Sequence, residues 1–81
     1  MRAARLRSSM IDRICYDEDE CSLAIWFRAT GRYVYRDVPL AHYEALKSAP
    51  SAGRYFNDWI KGRYRCEFDP GRRRFRPQEA A

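Results

Sequence analysis

Residues 22–38 read SLAIWFRATGRYVYRDV, and the alternation within this stretch decides the fold. Successive side chains of a strand point to opposite faces, so one face receives Leu23, Ile25 and Phe27 and the other receives Ala24, Trp26 and Arg28. Residues 29–31 form a short connection, and residues 32–38, rich in tyrosine and valine, supply a second strand. The stretch therefore predicts a β-hairpin.

The segment before this hairpin predicts one further strand. Residues 10–16 alternate loosely, and the four acidic residues 17–20 follow them at hairpin spacing. The acidic run lacks the twelve-residue ligand spacing of an EF-hand, so it predicts a solvated turn and no metal site. The three strands together predict an antiparallel meander.

The segment after the hairpin predicts two helices. Pro39 suits the first turn of a helix over residues 39–48, and Pro50 ends that helix. Ser51 can cap a second helix that ends near residues 61–62. The predicted fold class is α+β, a three-stranded antiparallel β-meander followed by two short α-helices in the order βββαα.

The length of 81 residues allows one core and one domain. We predict a disordered basic arm over residues 1–8, an α+β domain over residues 9–66 and a flexible Arg-rich tail over residues 67–81. No apolar run approaches the roughly 20 residues of a membrane span, and residues 1–9 do not resemble a secretory signal. A cytoplasmic protein with no membrane association is expected.

The three cysteines predict neither a disulfide framework nor a zinc site. Cys15, Cys21 and Cys66 are odd in number, form no CxxC pair and are accompanied by a single histidine, His42. Buried small hydrophobic side chains are their expected role. No metal and no cofactor are predicted.

The length of the connection at residues 29–31 decides which face of the sheet the tyrosines Tyr33 and Tyr35 occupy. A two-residue loop would put them beside Trp26 as an aromatic platform. A three-residue loop would pair Phe27 with Tyr33 and turn both tyrosines into the core. The second register is favoured, because Gly31 then takes the left-handed position that suits glycine.

The face opposite the core would then mix arginines with one large aromatic ring. It is predicted to carry Ile11, Arg13, Cys15, Ala24, Trp26, Arg28, Arg32, Val34 and Arg36. A base can stack on the Trp26 indole for about 1–3 kcal/mol while guanidinium groups meet phosphates. The residues predicted to bind RNA are Arg13, Trp26, Arg28, Arg32 and Arg36 on the sheet and Arg72, Arg73 and Arg74 in the tail.

Three alternatives for this surface remain open. It could be an ordinary solvated face on which arginine stems and a cation–π contact cover Trp26, a homodimer interface, or a site for another protein partner. The net charge of +5 favours a polyanion, but 14 of the 16 cations are arginines, a bias that a GC-rich genome also produces. RNA is the first expectation and a protein partner the alternative, for a monomer or a homodimer.

A set of residues between positions 9 and 64 resembles a known family. They are Tyr16 and Asp17, Leu23 and Phe27, Gly31 with Tyr33, Val34 and Tyr35, Val38 and Pro39, Tyr43 with Leu46, and the run APSAGRYFN at residues 49–57. On these residues the chain resembles the KTSC domain, a short module found alone in bacterial and phage proteins and at the C-terminus of some lysyl-tRNA synthetases. The Arg-rich tail and Pro50 depart from the usual pattern. The resemblance implies an accessory module, with RNA binding suggested by its attachment to a tRNA-charging enzyme.

No arrangement of residues in the sequence indicates catalysis, and we predict a protein that is not an enzyme. A lone helical histidine such as His42 is more often a surface residue than a general base. Ser51, Gly53 and Asn57 form a candidate anion site at the start of the second helix. A cap, a close packing contact and a backbone hydrogen bond would explain the same three residues.

Overall fold

The computed structural model describes residues 1–68 of the chain. Its elements in chain order are β1 (Arg2–Arg5), β2 (Ile11–Asp17), β3 (Ser22–Phe27), β4 (Gly31–Tyr35), α1 (Leu40–Ser48), α2 (Ala52–Trp59) and β5 (Cys66–Phe68). The strands form one antiparallel sheet in the order β1-β2-β3-β4-β5. The α+β class and the central meander are confirmed, but the predicted number of three strands is wrong.

The two additional strands lie at the edges of the sheet. The prediction of a disordered arm over residues 1–8 is wrong, because Arg2–Arg5 pairs with β2 along its whole length. Ala4 and the following Leu6 also pack against the core, which anchors this segment. At the other edge Cys66–Phe68 pairs with β4, so ordered strand extends two residues into the predicted tail. The remainder of that tail lies outside the described residues.

In the hairpin between β3 and β4 the side chains point to the predicted faces of the sheet, but the residues that pair across the two strands differ from the prediction. Phe27 pairs with Gly31 rather than with Tyr33, so the turn consists of residues 28–30. Gly31 has a φ of 103°, a conformation that only glycine adopts without strain. The observed register differs from the predicted one by two residues. A shift by an even number leaves each side chain on its predicted face, and Tyr35 is buried in the core as predicted.

A bulge in β2 moves one residue from the predicted outer face into the core. The register of β2 against β3 shifts between Ile11 and Arg13, so that Ile11 pairs with Phe27 and Arg13 with Trp26. Asp12 is the extra residue of the bulge. Residues of β2 that precede it therefore point to the opposite face from the one that simple alternation predicts. Ile11 is consequently fully buried, and its prediction as an outer-face residue is wrong.

The helices cover one face of the sheet and close the core. Helix α1 contributes Tyr43 and Leu46, and α2 contributes Phe56. The Phe56 ring lies with its centroid 5.0 Å from that of Phe27 and 5.5 Å from that of Tyr35, both edge-on. Phe56 is therefore the ring that joins α2 to two strands.

Buried tyrosines predict a loss of stability in alkaline solution. Burial raises the pKa of Tyr16, Tyr35 and Tyr43 above the ordinary value of 10.0. The unfolded chain ionises first, so these rings favour the folded state below about pH 10 and that contribution is lost as the pH rises further. Urea denaturation between about pH 8 and pH 11 should show a falling midpoint only above about pH 10. An unchanged midpoint across the series would contradict this account.

Candidate nucleic-acid interface

Four side chains form a row across the outer face of the sheet, and we call them the arginine–tryptophan row. Arg5 pairs with Arg13, Arg13 with Trp26, and Trp26 with Arg32, one residue from each of the first four strands. Directly paired residues point to the same face, and neighbouring strands lie about 4.8 Å apart. The row is therefore about 14 Å long and carries three guanidinium groups.

Trp26 holds two of these guanidinium groups by cation–π contact. The Cζ atom of Arg13 lies 4.6 Å from the centroid of the indole, and that of Arg32 lies 5.2 Å from it. Trp26 itself is half-buried between them. A guanidinium group carries five N–H donors, and phosphate oxygens accept from such donors. The arrangement suits phosphate binding better than an open stacking platform.

A shallow depression of about 380 Å³ lies beside the row on the side of β1. Its lining residues are Ala3, Ala4, Arg5, Arg13, Ile14, Cys15 and Trp26. The small side chains of β1 leave this space open, while the cations stand at its border. The depression adds room for a ligand group next to the row.

Arg28 and Arg36, both predicted to bind RNA from the sheet, make contacts away from the row. Arg28 lies at the start of the turn, and its Nε donates to the carbonyl of Ser8 at 2.8 Å, with a second bond to the carbonyl of Leu6 at 3.3 Å. It also lies 3.4 Å from the carboxylate of Asp12. Arg36 donates to the Glu67 carboxylate at 3.1 Å. Neither belongs to the row, because both lie beyond the ends of their strands.

The row also includes Arg5, which is absent from the predicted RNA-binding residues because the sequence of residues 1–8 predicts a disordered arm. The alternation of Ala4 and Leu6 toward the core was the available signal. The predicted tail residues Arg72, Arg73 and Arg74 lie outside the described residues. Arg13, Trp26 and Arg32 are the predicted residues that the structure brings together.

The candidate anion residues do not line one site. Ser51 caps α2, its Oγ accepting from the backbone N–H of Arg54 at 3.4 Å. Gly53 is buried under Met10, and a Cβ at that position would lie 2.9 Å from the Met10 sulfur. Asn57 is exposed and lies about one turn beyond Gly53 on the helix. Helix capping and close packing account for the first two.

An aromatic cluster on the helical side was not predicted. It consists of His42, Tyr55, Trp59 and Tyr64. His42 Nδ1 lies 2.8 Å from the Tyr55 hydroxyl, and burial raises the pKa of Tyr55. Trp59 is 52% exposed. The i, i+4 pair of Tyr55 and Trp59 was the signal for this cluster.

The cysteines, the groups able to bind a metal and the helices able to span a membrane were each the subject of a prediction. All three cysteines are free; Cys15 is half-buried, while Cys21 and Cys66 are exposed, which corrects the expectation that they are buried. Within residues 1–68 no group of three His, Cys, Asp or Glu side chains is placed to hold a metal ion. No helix in that range has the length and apolar character needed to cross a membrane.

The fold defines a small α+β domain with an antiparallel sheet backed by two helices. The crystal structure of a KTSC domain protein from Yersinia pestis matches it with a TM-score of 0.78 and 39% sequence identity, over 82% of this chain and 93% of that one. The KTSC domain model matches residues 7–64. The chain belongs to the KTSC domain family.

Two curated relatives show the settings in which similar sequences are found. A lysine–tRNA ligase of Nostoc punctiforme is 37% identical over 59 residues, which is 73% of this chain but 10% of the ligase. A protein of Tsukamurella paurometabola is 37% identical over 61 residues, covering 75% of this chain and 91% of that protein. The chain thus spans about a tenth of the ligase and most of the shorter relative.

Proposed function

We propose that this protein is a non-enzymatic RNA-binding domain and that the arginine–tryptophan row contacts the RNA backbone. The observation that carries the proposal is the pair of guanidinium groups held against Trp26, at 4.6 Å for Arg13 and 5.2 Å for Arg32. Long side chains ordered before binding lose less conformational entropy when a ligand arrives. The proposal includes a cytoplasmic location, where RNA is abundant.

The chemistry of the row fits phosphate groups. Arginine presents several N–H donors in a fixed plane, which matches the oxygens of a phosphate, and it stays charged at any physiological pH. Arg5 extends the row to the edge strand, where it also lies 3.7 Å from the carboxylate of Asp12. Arg5 itself is exposed, and ion pairs at exposed side chains are worth little, so a phosphate can replace Asp12 as its partner.

The name of one relative also supports the proposal of RNA binding. One of them bears the name of a lysine–tRNA ligase, an enzyme whose substrate is an RNA. A domain carried by such an enzyme is well placed to hold RNA. The shared region is a tenth of that enzyme, so this support concerns the domain alone.

The salt dependence of binding tests this proposal. A short oligouridylate that reaches only the row makes three phosphate contacts, which predict a slope of log affinity against log salt of about −2, at about −0.7 for each contact. Arg13→Gln should weaken binding several-fold and bring the slope close to about −1.4. Fluorescence anisotropy with a labelled oligouridylate measures both quantities.

A matched control comes from α2. Arg54→Gln removes the same charge from a side chain that is 83% exposed and paired with Asp58, on the other side of the domain. It should leave the slope unchanged. Equal slopes for the two variants, or no binding of RNA at low salt, would refute the assignment of the row.

A second candidate function is binding of a protein partner, favoured by the aromatic cluster. Tryptophan and tyrosine dominate the energetics of protein interfaces, and Trp59 is exposed on this side. Arg63 lies with its Cζ 5.9 Å from the Trp59 ring, which adds a cation to the cluster. A partner held there would be lost in Trp59→Ala, while the sheet face would be untouched.

A further inference from the structure

A second depression, which we call the basic cleft, lies between the β1–β2 connection and the junction of the two helices. Its volume is about 590 Å³, within the size range of ligand pockets of roughly 300–1,000 Å³. Its polar lining consists of three cations and three hydroxyl groups, from Arg5, Arg7, Lys47, Ser8, Ser9 and Ser51. No acidic residue is among the described residues that line it, so the cleft favours an anion.

The cations of the cleft are available to a ligand. Arg7 is exposed. Lys47 lies 3.4 Å from the Glu44 carboxylate, three residues earlier on α1, and both side chains are more than two-fifths exposed. Surface pairs of this kind contribute about 0–1 kcal/mol, so Lys47 can turn to a phosphate at little cost.

Arg5 connects the basic cleft to the sheet face. It lines the cleft, and it also lines the depression beside Trp26 and Arg13. Strand β1 is an edge strand, so no further strand of the described sheet separates the two depressions. A path of cations therefore runs from the arginine–tryptophan row over β1 to Arg7 and Lys47.

We propose that a single-stranded RNA follows this path, with phosphates on the arginine–tryptophan row and further phosphates of the same strand in the basic cleft. The inference rests on the proposed RNA-binding function and adds to it the ligand class and the route. The path bends around the edge of the sheet within one small domain. A duplex is too stiff for such a bend, since duplex DNA keeps its direction over about 50 nm.

The test measures affinity against the length of the RNA. Labelled oligouridylates of about 4 to 16 nucleotides cover the usual range of site sizes for one small domain. The wild-type protein should bind longer strands more tightly until the path is filled. The double variant Arg7→Ala and Lys47→Ala should bind the longest strand about 10-fold more weakly and the shortest strand as well as the wild type does.

The matched control removes two other exposed cations. Arg54→Ala with Lys61→Ala lowers the net charge equally, on α2 and just after it, and should keep the length dependence of the wild type. Thermal unfolding of both double variants checks that the fold is retained. A duplex of the longest length should bind no better than the shortest single strand.

The results separate failure of the route from failure of the function. If both double variants weaken all lengths equally, or if the duplex binds as tightly as the longest single strand, the route is wrong while RNA binding stands. If the wild type binds no oligouridylate of any length at low salt, the proposed function fails and the route fails with it.

Discussion

Phe56→Ala is expected to destabilise the domain by about 3–5 kcal/mol, the usual range for deleting a buried aromatic ring. Phe56 is 4% exposed, and its ring touches Phe27 and Tyr35 edge-on. A chain of 81 residues has a total stability of about 4–12 kcal/mol, at roughly 0.05–0.15 kcal/mol per residue. The substitution therefore removes a large share of the stability and leaves a sizeable unfolded population.

Urea denaturation of the variant gives the free energy of unfolding directly. Trp59→Ala is the control, because Trp59 lies three residues further along α2 and is 52% exposed. Its substitution should change the free energy of unfolding by no more than about 1 kcal/mol. Similar losses for the two variants would mean that Phe56 does not join α2 to the sheet as described.

Trp26→Ala is expected to reduce RNA affinity by about 30-fold. Without the indole, Arg13 and Arg32 lose the ring that orders them. Each arginine must then be ordered on binding, at about 0.5–1.5 kcal/mol per side chain. The two together weaken binding by about 1–3 kcal/mol, which is roughly 5- to 150-fold. Anisotropy with the same labelled oligouridylate measures the change.

Trp59→Ala again provides the control, since it removes a tryptophan from the helical side and leaves the row intact. RNA affinity should be unchanged in that variant. The reverse result, with Trp59 required and Trp26 dispensable, would place the RNA on the aromatic cluster. Alanine substitution of the tail residues Arg72, Arg73 and Arg74, one at a time, should each cost less than loss of Trp26.

The meander was predictable because large apolar side chains alternate along its strands with smaller or charged ones. Residues 22–27 alternate strictly, so the face to which each side chain points follows from the sequence alone. The position of Gly31 at the turn then indicated which residues of β4 share those faces. β1 was not predictable in the same way. Its sequence, RAAR, lacks the β-branched and aromatic residues typical of strands, and it is held by pairing with β2 and by Leu6 in the core.

The candidate site was predicted only where strand alternation applies. Arg13, Trp26 and Arg32 lie inside strands, so their common face could be inferred from their spacing. Arg28 lies in the turn after β3, where alternation no longer fixes direction, and its guanidinium faces the backbone of the β1–β2 connection. Contacts between segments distant in sequence decided this difference, and no local pattern encodes them.

The short strand at the N-terminus has a practical consequence for anyone trimming this protein. A protein that began at residue 9 would lack Arg2–Arg5. The backbone N–H and C=O groups along that rim of β2 would then have no hydrogen-bond partners. Such rims recruit other copies, so the shortened protein should self-associate and precipitate. With Arg2–Arg5 in place, the sheet ends instead in a strand of four residues that begins and ends with arginine, and short, charged edge strands of this kind resist pairing with other molecules.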